Sequence, residues 1–129
     1  MTIAIDRLDH LVLTVRDMDA TCSFYSRVLG MKRRTFGDDR TALYFGRQKL
    51  NLHDAAKPVD PNVRHAAPGS SDLCFITETP MDEVIAHLAV EDVSIITGPG
   101  ERSGATGTLL SVYVYDPDEN LIEIANLLP

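Results

Sequence analysis

One order of strand and helix signals occurs twice in this 129-residue chain, and that repetition narrows the possible folds more than any other feature. The first copy opens at Leu8-Asp-His-Leu-Val-Leu-Thr-Val15, where Leu11, Leu13 and Val15 alternate with His10, Val12 and Thr14. Successive side chains of a strand point to opposite faces, so this run reads as a half-buried strand. Asp17 is a good N-cap for a helix over 18–29, with Met18, Thr21, Cys22, Tyr25, Val28 and Leu29 on one stripe and Gly30 closing it. Short strands are predicted over 31–36, 41–46 and 48–53, separated by Gly37-Asp-Asp39 and Gly46-Arg47.

Residues 55–70, with Pro58, Pro61, Pro68 and Gly69, read as a linker. The pattern then restarts. In Ser71-Asp-Leu-Cys-Phe-Ile-Thr77, Leu73 and Phe75 alternate with Asp72, Cys74 and Ile76. Thr79-Pro-Met-Asp82 predicts a capped helix over 80–90 with Met81, Val84, Ile85 and Leu88 on one stripe. Strands over 93–97, 108–115 and 120–126 complete the copy, and the glycine-rich stretch 98–107 reads as a loop. The opening strands are offset by 62 residues (His10 to Asp72), the helices by 63 and the closing strands by 72 (Asn51 to Glu123). Duplicated modules usually bury a shared face. One domain is therefore expected, built from module 1 at about 6–54 and module 2 at about 71–127.

An apolar fraction of 44% and a charged fraction of 24% fit an ordinary globular protein. The net charge of −7 argues against nucleic acid or an anionic membrane as partner, and fits a small-molecule substrate. No apolar run approaches the roughly 18 residues of a membrane span, and no export signal is visible. Cys22 and Cys74 are too few for a disulfide framework, so a cytoplasmic location is expected.

Leu8-Asp-His-Leu-Val-Leu-Thr-Val15, Phe24-Tyr-Ser-Arg-Val-Leu-Gly-Met31 and Asp116-Pro-Asp-Glu-Asn-Leu-Ile-Glu-Ile124 together resemble the vicinal oxygen chelate superfamily. That group contains glyoxalases, extradiol dioxygenases and the fosfomycin- and bleomycin-resistance proteins. The resemblance covers essentially the whole chain. It implies an α+β fold of two βαβββ modules forming a cupped, partly closed mixed sheet with helices outside. It further implies a homodimer and a divalent metal ion, Zn, Ni, Mn, Co or Fe.

In that family the metal ligands come from the first and last strands of each module. His10 matches the opening ligand of module 1, and Glu123 the closing ligand of module 2. Asp72 stands where the second module usually has histidine and is a possible fourth ligand. Asn51 stands where relatives carry glutamate. His53 lies two residues on, on the same strand face, and imidazole is the commoner metal ligand, so His53 is expected to ligate. The set His10, His53 and Glu123 would then be a two-histidine, one-carboxylate site, with Glu123 also catalytic. Tyr113, Arg102 and Asn51 are expected to meet the substrate, and the glycine-rich loop reads equally as a mobile lid carrying Arg102 or as a plain hairpin connection. Cys74 reads as a small apolar filler. The turn before Glu123 carries Glu119 where relatives have glycine, which predicts a strained φ.

The reaction implied is lyase or isomerase chemistry on a small α-oxygenated substrate through a metal-stabilised enediolate. Glyoxalase I relatives bind glutathione through an arginine four residues past the first histidine, where this chain has Thr14. The alternatives are an extradiol ring-cleaving dioxygenase and a metal-free drug- or metabolite-binding protein.

Overall fold

The computed structural model describes residues 2–129, which divide into two compact units, Met1–Ala66 and Ala67–Pro129. Each unit is a βαβββ module carrying one four-stranded mixed sheet, and neither sheet closes into a barrel.

The first unit runs β1 (His10–Val15), α1 (Met18–Leu29), β2 (Lys32–Phe36), β3 (Arg40–Phe45) and β4 (Gln48–Asp54), with spatial order β1-β4-β3-β2. β1 lies parallel to β4, and the other pairs are antiparallel. The Asp17 side chain accepts from the Ala20 amide at 3.0 Å, and Gly30 ends α1 at φ +69°, as the sequence predicts. Leu13, Val15, Tyr25, Leu43 and Leu50 are almost wholly buried and form its core. The β1 face that carries Leu13 and Val15 is thus the core face, and His10, Val12 and Thr14 share the other. β4 departs from simple amphipathicity, because Asn51 and His53, opposite the core face, are buried as well.

The second unit runs β5 (Asp72–Ile76), α2 (Met81–Val90), β6 (Thr97–Ser103), β7 (Thr108–Tyr115) and β8 (Leu121–Leu127), in the order β5-β8-β7-β6. Met81, Val84, Leu88, Val112, Val114, Ile122 and Ile124 are buried as its core. The duplication offsets reappear as register: Val12 pairs with Asn51 in the first unit as Cys74 pairs with Glu123 in the second.

Two local readings need correction. No strand forms over 93–96; instead β6 occupies 97–103, within the stretch read as a loop. Its glycines serve close packing rather than mobility. Gly98 has φ +101°, and a Cβ there would lie 2.5 Å from the Ser111 carbonyl oxygen. Arg102 accordingly stands on a strand rather than on a lid. The capping box of α2 is also absent: Pro80 occupies the N-cap and no side chain caps the helix.

The turn before β8 is held by Asp116, which is buried and accepts from the Asp118 amide, the Asn120 amide and Asn120 Nδ2 at 2.8–2.9 Å. Asn120 Oδ1 in turn accepts from the Ser71 amide, tying the start of β8 to the start of β5. Glu119 adopts φ +67°, the strain its position predicts. This turn sets the register that places Glu123.

Candidate functional site

In the second unit, residues related by period two along β5, β8 and β7 share the face away from the core. They are Asp72, Cys74, Glu123, Ser111, Tyr113 and Tyr115. Glu123 is half-buried between Cys74 on one neighbouring strand and Tyr113 on the other. The Ser111 hydroxyl, itself buried, donates to Glu123 Oε2 at 2.6 Å. Such a charge-assisted bond fixes the carboxylate. The Arg102 guanidinium lies over the Tyr113 ring, 5.4 Å from its centroid.

The electrostatics follow from these neighbours. Partial burial of the Cys74 thiol, with the Glu123 carboxylate beside it and Asp72 beyond, pushes the thiol up to about 11. Cys74 is exposed as a residue and close to charge, so it is not the apolar filler the sequence suggested. Desolvation raises the Tyr113 phenol above its ordinary value; hydrogen bonding with Arg102 opposes that shift, and hydrogen bonding with Glu123 adds to it. At neutral pH Cys74 is therefore a thiol and Tyr113 a phenol, both donors beside an acceptor-only carboxylate.

In the first unit, His10 is exposed, and its Nδ1 sits 2.8 Å from Asp9 Oδ2, a hydrogen bond that is the main cause of the lowered Asp9 carboxyl. Asn51 and His53 are buried on the same sheet face, yet among the described residues Asn51 Oδ1 and both His53 ring nitrogens have no hydrogen-bond partner. An unpaired buried polar group costs on the order of 1–3 kcal/mol, so these atoms invite a ligand.

His10 pairs in register with Lys49, whereas His53 pairs with Thr14, four steps further along the same two strands. That separation is about 13 Å along the strand, beyond what two imidazoles on one ion can span. Asn51, not His53, holds the position equivalent to Glu123. Among the described residues no group of three or more His, Cys, Asp or Glu side chains is gathered to hold a metal. The donor types suit a divalent ion, but within the first unit His10 and His53 do not fit one together.

Three residues important here escaped the sequence reading: Lys49, Arg40 and Tyr44, which share a sheet face with Asn51 and His53. Counting back by twos from Asn51 would have found Lys49. Arg34 and Phe36 join that face, while Leu43 turns to the core.

Comparison with known proteins places the whole arrangement. Residues 7–124 match the family model described as Glyoxalase/Bleomycin resistance protein/Dioxygenase superfamily. The chain is 51% identical over 121 residues to virulence protein STM3117 of Salmonella typhimurium, covering 94% of this chain and 84% of that one. The crystal structure of that protein superposes with a TM-score of 0.96, covering 98% of this chain and 100% of that chain. The glyoxalase domain-containing protein RDO1 of Mycosarcoma maydis is 45% identical, over 96% of this chain and 70% of its own length. A lactoylglutathione lyase of Pseudomonas putida is 34% identical over 61% of this chain and 48% of its own length. No helix among the described residues is long and apolar enough to cross a membrane.

Proposed function

This chain belongs to the Glyoxalase/Bleomycin resistance protein/Dioxygenase superfamily, and on that premise we propose that it is a glyoxalase-like enzyme moving a proton on a small α-oxygenated carbonyl substrate. The observation that carries this reading is the Ser111–Glu123 hydrogen bond of 2.6 Å, which holds a half-buried carboxylate beside the Tyr113 phenol. Glu123 is the base that removes the proton from the carbon bearing the hydroxyl. Tyr113 and Arg102 donate to the carbonyl oxygen and carry the charge of the enediolate as it develops. Transfer of the hydroxyl proton to the former carbonyl oxygen, relayed by the Tyr113 phenol, and return of the proton from Glu123 to the neighbouring carbon complete an isomerisation with no other reactant. Asp72 and Cys74 line the same face, and the Cys74 thiol can donate to a substrate oxygen. Each of these steps is assigned to this chain's own side chains.

The test is turnover of a panel of α-hydroxycarbonyls and hemithioacetals by chelator-treated protein, beside E123Q and Y113F. Activity in the wild type that falls at least about a hundredfold in E123Q supports the reading. Turnover that appears only on adding a divalent ion would transfer the role of Tyr113 and Arg102 to that ion and overturn the scheme.

A binding protein without turnover is the second reading. It is favoured by the acidic and aromatic character of the second unit's exposed face, where Asp72, Glu123 and Tyr115 would suit a cationic ligand. Saturable binding of a cationic ligand without product separates the two readings. A homodimer belongs to the same proposal. Each sheet ends on two edge strands, β1 and β2 or β5 and β6, and a second copy is a ready cover for them. Light scattering measures that directly.

A further inference from the structure

We propose that the extra residue in β6 at Gly98-Pro99 is a positioning device for the Glu123 site, given the role assigned to Arg102 in the proposed reaction. It turns Arg102, rather than Glu101, onto the sheet face that carries Tyr113 and Glu123. Thr97 pairs with Tyr113, whereas Gly100 pairs with Ser111 and Arg102 with Leu109, so three steps along β6 answer two along β7. Such a β-bulge reverses the alternation of the strand that bears it. Residues directly opposite share a face, and Tyr113, Ser111 and Leu109 lie on one face of β7. Before the bulge that face receives Thr97, and after it Gly100 and Arg102. Continued without interruption, the Thr97 register would set Glu101 opposite Leu109 and leave Arg102 on the reverse face.

Charge makes that choice of face consequential. Arg102 is the one lysine or arginine in residues 67–129, against eleven aspartates and glutamates. The Glu123 face already carries Asp72 as a further carboxylate. With Glu101 in the place of Arg102, a developing enediolate would meet another negative charge where it now meets a guanidinium. A single inserted residue thus reverses the sign of the charge that this strand offers to the reaction.

The residues of the bulge fit this role independently of register. Gly98 has φ +101°, and a Cβ there would lie 2.5 Å from the Ser111 carbonyl oxygen and 3.1 Å from Val112 Cα, so both backbone and space call for glycine. Pro99 brings no backbone N–H, which suits a point where a ladder bond is missing. Further along, a Cβ on Gly100 would stand 3.3 Å from Arg102 Nη1. The guanidinium therefore leans back over Gly100, where no side chain blocks it, and comes to 5.4 Å from the Tyr113 ring centroid. Its Nη1 donates to the Glu101 carbonyl oxygen at 2.8 Å, which steadies it there. The Tyr113 phenol registers the contact: desolvation raises its titration, and the hydrogen bond with Arg102 opposes that rise.

The experiment follows the Tyr113 titration by NMR of ring-labelled tyrosine, assigned with Y113F, beside kcat and KM on the α-hydroxycarbonyl panel. It compares the wild type, deletion of Pro99, the charge-conserving swap E101R/R102E, and deletion and swap combined. Deletion alone and swap alone should each carry the Tyr113 titration upward, because each takes the guanidinium off its face. Each should lower kcat about tenfold or more while KM changes less than about threefold. Combined, they return a guanidinium to the Tyr113 face, and both the titration and kcat should recover toward the wild type. The swap keeps the strand at full length and decides the matter if the deletion does not fold. A Tyr113 titration left unchanged by E101R/R102E would overturn the proposal, as would a combined variant that behaves like the deletion alone. A wild type without turnover, but with the titration moving and recovering as expected, would sink the proposed reaction and uphold the placement of Arg102 by the bulge.

Discussion

Ser111 and Glu123 stand on adjacent antiparallel strands, diagonally across one sheet face, and the serine hydroxyl is 2.6 Å from the glutamate carboxylate. Glu123 is directly opposite Tyr113, and Ser111 directly opposite Ala125. The bond is thus a product of strand register, and anything that shifts β7 against β8 removes it. Replacing Ser111 by Ala deletes a donor and little volume. We expect S111A to fold, to lose about 1–2 kcal/mol of stability in urea denaturation, and to lose turnover by about tenfold through a freely rotating carboxylate. Stability and activity both matching the wild type would show that the bond positions nothing.

The Cys74 thiol offers a probe of the same carboxylate. With its titration pushed up to about 11 from an ordinary 9.0, it is overwhelmingly protonated at pH 8, and alkylation there should be slow for an exposed cysteine. Because the shift is upward, reactivity appears only as pH rises toward 11. Burial is the leading cause and Glu123 the next, so E123Q should move the alkylation profile part of the way back toward 9. A profile identical in wild type and E123Q would place the two groups apart.

One glycine and one glutamate test the turn that sets β8. A Cβ on Gly69, at φ +75°, would meet the Asp118 carbonyl oxygen at 2.5 Å, so G69A should cost more than the roughly 1–2 kcal/mol of the left-handed backbone alone. Glu119 carries the same kind of strain with φ +67°. E119G should therefore stabilise by about 0.5–1 kcal/mol. Thermal unfolding that moves both variants in the same direction would contradict the backbone assignment.

Removal of the α1 cap is a cleaner case. Asp17 accepts from the Ala20 amide and sits in an extended conformation, and Asp19 adds negative charge in the first turn. D17A should lose about 1 kcal/mol. The predicted helix α2 has no such cap, so T79A should be nearly neutral. Equal losses in the two would restore the capping role that the sequence assigned to Thr79.

Much of the fold was legible because strand and helix periods survive in the sequence. Leu11, Leu13 and Val15 identify β1, and the offset from Asn51 to Glu123 reappears as equivalent register in the two sheets. β6 was not legible, because Thr97-Gly-Pro-Gly-Glu-Arg-Ser103 has no alternating apolar residues and its pairing with β7 comes from a close backbone approach at Gly98. Of the candidate site, Glu123 was expected from the family resemblance and Tyr113 from alternation along its strand, and register sets the two directly opposite each other. The separation of His10 from His53 was not, since face follows from one strand but register needs two. The face carrying Lys49 and Arg40 escaped for another reason: those side chains gain meaning only when β3 and β4 bring them to Phe36.

Whether the Glu123 carboxylate moves a carbon-bound proton is most directly measured by exchange of that proton with solvent. An α-hydroxycarbonyl substrate incubated in D₂O with wild-type protein should gain deuterium at the hydroxyl-bearing carbon, with slower incorporation in S111A and none above background in E123Q. Deuterium entering at the same rate in E123Q as in the wild type would contradict the account.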